Sequence, residues 1–235
     1  MNSTYLSSIR LSNIGIMLLQ RRSAYQAKAV LRDAVKLLRS CFPVDGSVPA
    51  QQPAQSEVAL QRALSRFSSV EVDSLNLDID ILTYEEAGND FNTLSYLLRL
   101  PLGDYMLVTL RINEDPMAER DQDVDSAILL HNFAVAHVCM GQIEQSNIHF
   151  ESASRLWRYA LRVLANRISH GLLDLFEEEN VAFVWGLVVR NLATVLGHLG
   201  NVNESVHYEN ALSMVFPSID EIDPFSFEAV GAAAA

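Results

Sequence analysis

Ser126–Leu164, SAILLHNFAVAHVCMGQIEQSNIHFESASRLWRYALRVL, is the stretch that decides the fold. Leu129, Phe133, Ala136 and Met140 recur every three or four residues, and so do Ile143, Ser146, Phe150, Ala153, Trp157, Ala160 and Leu164. That is the spacing of one helical face, so the stretch predicts two antiparallel helices. Gly141 suits the left-handed residue that closes a helix, and the turn is expected there.

The same pattern recurs on both sides. Residues 3–42 read as a helix, a turn at Gln20–Ser23 and a second helix stopped by Pro43, with Leu11, Ile14, Leu18, Ala27, Leu31, Ala34 and Leu38 on the buried seam. A third pair follows the central one. Its first helix, starting at Leu172 or Asn180, ends at Gly200, and its partner runs from Val202 to Phe216 before Pro217. Between the first and second pairs the period changes to two. Leu75, Leu77, Ile79 and Ile81 alternate with polar residues, and Met106, Val108, Leu110 and Ile112 alternate within Tyr105–Asn113, so both stretches predict strands. Asp90–Leu100 fits a strand or a helix.

The expected fold is therefore mainly α, antiparallel helix pairs of α-solenoid type with a small two-stranded β insertion. Residues 1–42 form the first pair and 43–69 a linker, mobile over 43–55 and with a short helix at Ser56–Phe67. Residues 70–115 form an acidic, strand-containing insertion, 120–217 the second and third pairs, and 218–235 a disordered tail. Two strands alone are marginal in water, so the insertion is expected to lay its apolar face on the helices.

Net charge is −12, unevenly spread: +6 over residues 1–42, −11 over 43–125 and −7 over the remainder. The acidic balance argues against nucleic acid as partner, because such affinity comes from neutralising phosphates. The basic N-terminal pair is the one place such binding could sit, unless it docks on an acidic part of the same chain or of a partner. No run of 18 apolar residues occurs, so no membrane span is expected. Ile14–Leu19 is apolar, but Arg10 and Asn13 interrupt its approach and no small-residue cleavage site follows, so no signal peptide is expected. Cys41 and Cys139 read as buried free thiols of a reducing, cytoplasmic protein, which leaves the sequons at Asn2 and Asn203 unused.

Superposing the pairs gives one template. Asn13-Ile14-Gly15, Asn132-Phe133-Ala134 and Asn191-Leu192-Ala193 correspond; twelve residues later stand Ala27, Ser146 and Ser205, and seven further Ala34 and Ala153. Small residues at this spacing let paired helices approach closely. The template resembles the tetratricopeptide repeat family, over residues 8–40, 127–159 and 186–216. Arg22 stands where the turn glycine is expected, and Tyr208 and Ala211 sit one residue early in the third unit. The units are 119 and 59 residues apart, not contiguous. The resemblance implies that the first helices line a groove that binds peptides, with Asn13, Asn132 and Asn191 holding the peptide backbone. Ser12, Ile16, His131, Val135, Arg190, Thr194 and His198 would be groove neighbours. Arg190 is nearly alone as a groove cation, so binding of a terminal carboxylate is not expected. With Ile9, Ile16, Leu19, Ile128, Val135, Val138 and Leu187 on the same side, the groove is apolar, and either the 75–112 ribbon or a partner segment is expected to fill it.

Chemistry-bearing motifs point elsewhere. His131 and His137 are six apart and diverge on a helix, so the set His131, His137, Cys139 and His149 predicts packing or groove residues instead of zinc ligands. The DQDVD at 121–125 opens like a calcium loop, but Ser126 replaces the turn glycine and Asn132 the closing Glu, so a helix cap is expected. No phosphate loop, HExxH, CxxC or nucleophile elbow occurs, and the carboxylates are expected on solvated faces. Trp157 and Trp185 are expected in the core. The sequence thus predicts a non-catalytic adaptor that holds a peptide or protein segment, without metal or cofactor, with self-association open. The alternatives are a nucleic-acid-binding helical repeat using the N-terminal helices and an enzyme with an unrecognised interhelical site.

Overall fold

A computed structural model describes residues 3–42, 53–69, 81–82, 94–102, 105–117, 120–165 and 179–215. The protein is mainly helical, with seven helices among these residues. Ser3–Gln20 (α1) and Ala24–Ser40 (α2) form the first hairpin, and Pro53–Ser69 (α3) follows. Gln122–Glu144 (α4) pairs with Asn147–Ala165 (α5), and Glu179–His198 (α6) with Val202–Val215 (α7). α2 packs on α4 and α5 on α6, while α1 touches α4 and α4 touches α6.

The small residues of the template lie where helices meet. A Cβ on Gly15 would stand 2.5 Å from Leu31 Cγ, so α1 and α2 are in contact there through glycine alone. Ala27, Ala34 and Ala153 are fully buried, and Ser205 Oγ donates to the Ala193 carbonyl at 2.8 Å, joining α7 to α6. α4 is apolar around most of its circumference because α1, α2, α5, α6 and the sheet surround it. α4 and the 181–198 part of α6 are long and apolar enough, by length and composition, to cross a membrane; 72% of each such window is buried by its neighbours.

Several expectations are corrected. Gly141 is not the turn: α4 continues to Glu144, and Gln145 takes the left-handed conformation at φ 50°. Gly141 lies inside the helix because a Cβ there would meet the Phe150 ring at 2.8 Å. Ile143, placed past the close approach, is exposed rather than on the buried stripe. Arg22 adopts φ 55° and Gly200 φ 78°, so the other turns use the same left-handed device, in unit one without a glycine. The short helix expected at Ser56–Phe67 runs longer, Pro53–Ser69, and is packed into the fold: α3 lies on α1 and α2, burying Ala63 and Ser56.

Among the described residues the sheet has three strands where two were expected. Ile81–Leu82 (β1), Leu94–Leu102 (β2) and Tyr105–Ile112 (β3) are antiparallel in the order β1-β2-β3, with Leu97 opposite Leu110 and a register shift between Leu94 and Tyr96. The ambiguous 90–100 stretch contributes β2 from Leu94 onward, fixed as a strand by its antiparallel pairing with β3. Of the expected strand 75–81 only Ile81 is among the described residues, and 43–52 and the 218–235 tail lie outside them. β3 packs on α1 and α4, with Leu107, Val108, Thr109, Leu110 and Ile112 all buried. The core of the first two hairpins is thus closed by a strand from the insertion.

Candidate functional site

Successive residues of a strand direct their N–H and C=O groups to opposite edges. β2 takes one edge of β3; the other belongs to Val108, Leu110 and Ile112. Asn132 of α4 faces Leu110. Its Oδ1 accepts the Leu110 N–H at 3.0 Å, and its Nδ2 donates to the Leu110 carbonyl at 2.8 Å and to Ser12 Oγ at 3.3 Å. Asn13 of α1 does the same one step on. Its Oδ1 accepts the Ile112 N–H at 3.1 Å, and its Nδ2 donates to the Ile112 carbonyl and to Glu114 Oε1, both at 2.8 Å. Each primary amide therefore stands in for the peptide group of a missing neighbouring strand. The N–H and C=O together also fix which end of each amide is oxygen.

His131 extends the row by one step. Trp157 donates its indole N–H to Nδ1 at 3.0 Å, so Nε2 carries the proton and donates to the Val108 carbonyl at 2.7 Å. Burial pushes the imidazole down to about 4, so the ring is neutral at pH 7. His137 is also pushed down to about 4, by burial and then by the charge of Lys28. Its Nδ1 meets Nδ1 of His149 at 3.3 Å, and His149 Nε2 meets Glu144 at 2.9 Å. His131 turns away from this pair, and no group of three metal-ligating residues occurs among the described residues.

The end of β3 is fastened by a buried charge cluster that sequence reasoning missed. Arg120 Nη2 donates to the carbonyls of Asn113 and Asp115, and its Nη1 lies 3.5 Å from Asp125 Oδ2. Tyr5 donates its hydroxyl to the same oxygen at 2.7 Å. Burial pushes Asp125 up to about 6, against the Tyr5 hydrogen bond and the Arg120 charge, and burial also raises the Tyr5 phenol. Asp125 is thus not on a solvated face as expected; a lone buried acid beside a buried tyrosine is visible only once α1 and α4 are side by side. Asp121 is the cap, accepting from the Asp123 and Val124 amides. The tyrosine, arginine and aspartate are all sealed from solvent, which suits a fastening.

Unit three departs from the other two. Asn191 is 4% exposed, and its Nδ2 has no hydrogen-bond partner among the described residues. Arg190, Thr194 and His198 are exposed, at positions where unit two buries His131, Val135 and Cys139. Thr194 Oγ1 donates to the Arg190 carbonyl, and the His198 ring lies 4.3 Å from that of Phe150. The structure therefore brings Asn13, Asn132 and His131 together on β3, and leaves Asn191, Arg190, Thr194 and His198 on a separate wall. The groove residues Ile9, Ser12, Ile16, Ile128, Val135 and Val138 are all buried.

The chain matches no protein-family model, no curated protein and no solved structure. The basic N-terminal helices are partly engaged within the chain: Arg10 lies 3.8 Å from Glu114, and Arg21 stacks 3.7 Å above the Phe67 ring and donates to the Phe67 carbonyl. Trp157 is fully buried and Trp185 nearly so. Cys41 and Cys139 are free; Cys139 is buried, which pushes its thiol up to about 12, and Cys41 is half-buried.

Proposed function

We propose that the protein is a non-catalytic interaction adaptor built of tetratricopeptide-like hairpins, whose leading helices α1, α4 and α6 form a wall that holds extended polypeptide. One observation carries the reading. Asn13 and Asn132, from equivalent positions in two hairpins, each grip both backbone groups of one strand residue, two residues apart. Such a wall reads backbone, so it accepts any extended segment whose side chains suit the apolar surroundings. The order of helix contacts supports the same reading, since the second helix of each hairpin packs on the first of the next.

Units one and two are occupied by the chain's own β3. Partner binding therefore falls to unit three, and Asn13, Asn132 and His131 act in holding the internal strand. The test is affinity purification from the native cell with wild-type protein and an Arg190→Glu, Thr194→Trp variant, both positions being exposed and tolerant of change. The expected result is a protein partner recovered by wild type and lost by the variant, with identical circular dichroism. A partner retained by the variant, or none from either, would overturn the reading.

A further inference from the structure

We infer that the outer face of α2 binds a single strand of nucleic acid along a row of cations. This goes beyond the adaptor reading and involves a different helix, since the wall is built of α1, α4 and α6. Residues 1–42 carry +6, against −11 and −7 in the two stretches that follow. Part of that positive charge is engaged within the fold: Arg10 lies 3.8 Å from Glu114, and Arg21 stacks on Phe67. The cations of α2 are not. This helix buries Ala24, Ala27, Leu31, Ala34 and Leu38. At about 100° per residue, Tyr25, Lys28, Arg32, Lys36 and Arg39 share one stripe about 80° wide, away from that seam. Tyr25, Arg32, Lys36 and Arg39 are exposed, and Lys28 is partly so. Lys28, Lys36 and Arg39 form no ion pair among the described residues, and Arg32 has a contact of 3.9 Å with Asp33, its neighbour in sequence. An exposed pair of that length contributes little.

What the stripe lacks decides the class of partner. Protein interfaces are built on an apolar centre from which charged residues are depleted. Here the stripe holds four cations and one aromatic ring, and no aliphatic side chain. Nucleic acids are held by charge neutralisation, which needs no such centre. Lys28, Arg32 and Lys36 follow one another four residues apart, about 6 Å along the axis, and Arg39 closes a row about 16 Å long. A flexible phosphodiester backbone can set one phosphate on each. Arg32 and Arg39 offer planar forks to phosphate oxygens, and their planes and the exposed Tyr25 ring offer faces to unstacked bases. α2 does not fit a duplex groove, because α1, α3 and α4 pack against it. A bilayer is the other extended anion. Laid on α2 it would also cover Asp33 and Glu144, whose carboxylate is in the field of Lys28, whereas a strand follows the row. The negative excess of the chain acts only within a Debye length, about 8 Å at physiological salt, so the row governs what binds there.

Fluorescence anisotropy of a labelled RNA of about 12 nucleotides, titrated with the full chain, tests this. With four phosphates neutralised, log affinity falls with log salt at a slope of about −3, so going from about 50 to about 200 mM NaCl weakens binding about 50-fold. The double variant Arg32→Glu, Lys36→Glu is expected to bind about tenfold more weakly or worse at the lower salt, with about half the slope. Arg162→Glu, the same charge change at an exposed position of α5, binds as wild type does. All three positions are exposed, so melting temperatures stay unchanged and lost binding is not lost folding. No binding at the lower salt, a slope shallower than about −1, or an equal loss in Arg162→Glu overturns the inference. So does equal affinity for the duplex of the same sequence. Competition by polyglutamate as strong as by unlabelled RNA would assign the row to an acidic protein instead. Cosedimentation with phosphatidylserine vesicles in place of RNA binding, lost in the double variant, would assign it to a membrane. The adaptor reading stands or falls separately, on Arg190 and Thr194.

Discussion

Asn132 engages both ends of its amide with Leu110, and Asn13 engages both of its own with Ile112. Truncating either leaves one N–H and one C=O of a buried strand unpaired, at about 1–3 kcal/mol for each group. Asn132→Ala and Asn13→Ala should therefore each lower stability by about 3 kcal/mol in urea denaturation, and a loss under about 1 kcal/mol would show that the strand finds other partners. These asparagines were legible in the sequence as one repeated position; their acceptor was not, because nothing in the sequence marks Asn13 and Ile112, 99 positions apart, as neighbours. Tyr5 and Asp125, 120 apart, were hidden for the same reason. Acid titration reads the buried groups. His131 and His137, each about 4 in the fold against an ordinary 6.5, take up protons only on unfolding, so both withdraw stability as pH falls from about 6.5 to 4. Asp125, raised to about 6 from 3.8, has the opposite sign, its contribution being present below 3.8 and lost as pH rises through 6. Two protons against one leave a net loss of stability on acidification near pH 5. Unfolding free energies measured between pH 4 and 7 check the sign.

At the level of elements, pairing was legible because each helix buries one periodic face, and the ends were less so. Gly141 was read as a turn on the rule that glycine closes helices. Here its missing Cβ admits the Phe150 ring, and the left-handed residue is Gln145 four positions on. Gln145→Gly should raise stability by about 0.5–1 kcal/mol, since Gln145 is exposed and held at positive φ. Gly15→Ala should do the reverse, costing about 2 kcal/mol, because the new methyl collides with the branch carbon of Leu31 in a fully buried contact. Thermal melts of the two variants should move in opposite directions. The β2 assignment was open in the sequence because Leu94, Tyr96, Leu98 and Leu100 suit either period; pairing with β3 decided it.

Across the molecule, β3 is a structural member of the helical stack. Its buried side chains and the two asparagine clamps tie α1 to α4, and Arg120 fastens its end. The Leu110 and Ile112 amides should therefore exchange with deuterium only through global unfolding, at the rate of the slowest α4 amides. Faster exchange at these two would mean that the strand detaches as a separate unit. The composition had placed residues 70–115 apart as an insertion; what it could not convey was that α1 and α4 present polar side chains to a strand from that insertion.

The clamp on Ile112 also sets an order of events during synthesis. Asn13 is made 99 residues before the carbonyl it will grip, roughly 5–20 s at ordinary ribosomal speeds. Throughout that interval the nascent first hairpin carries a bare apolar wall with an unmet amide in its middle. A ribosome paused before codon 112 would hold the chain in its stickiest form, and passage of that point is when chaperone contact with α1 should end.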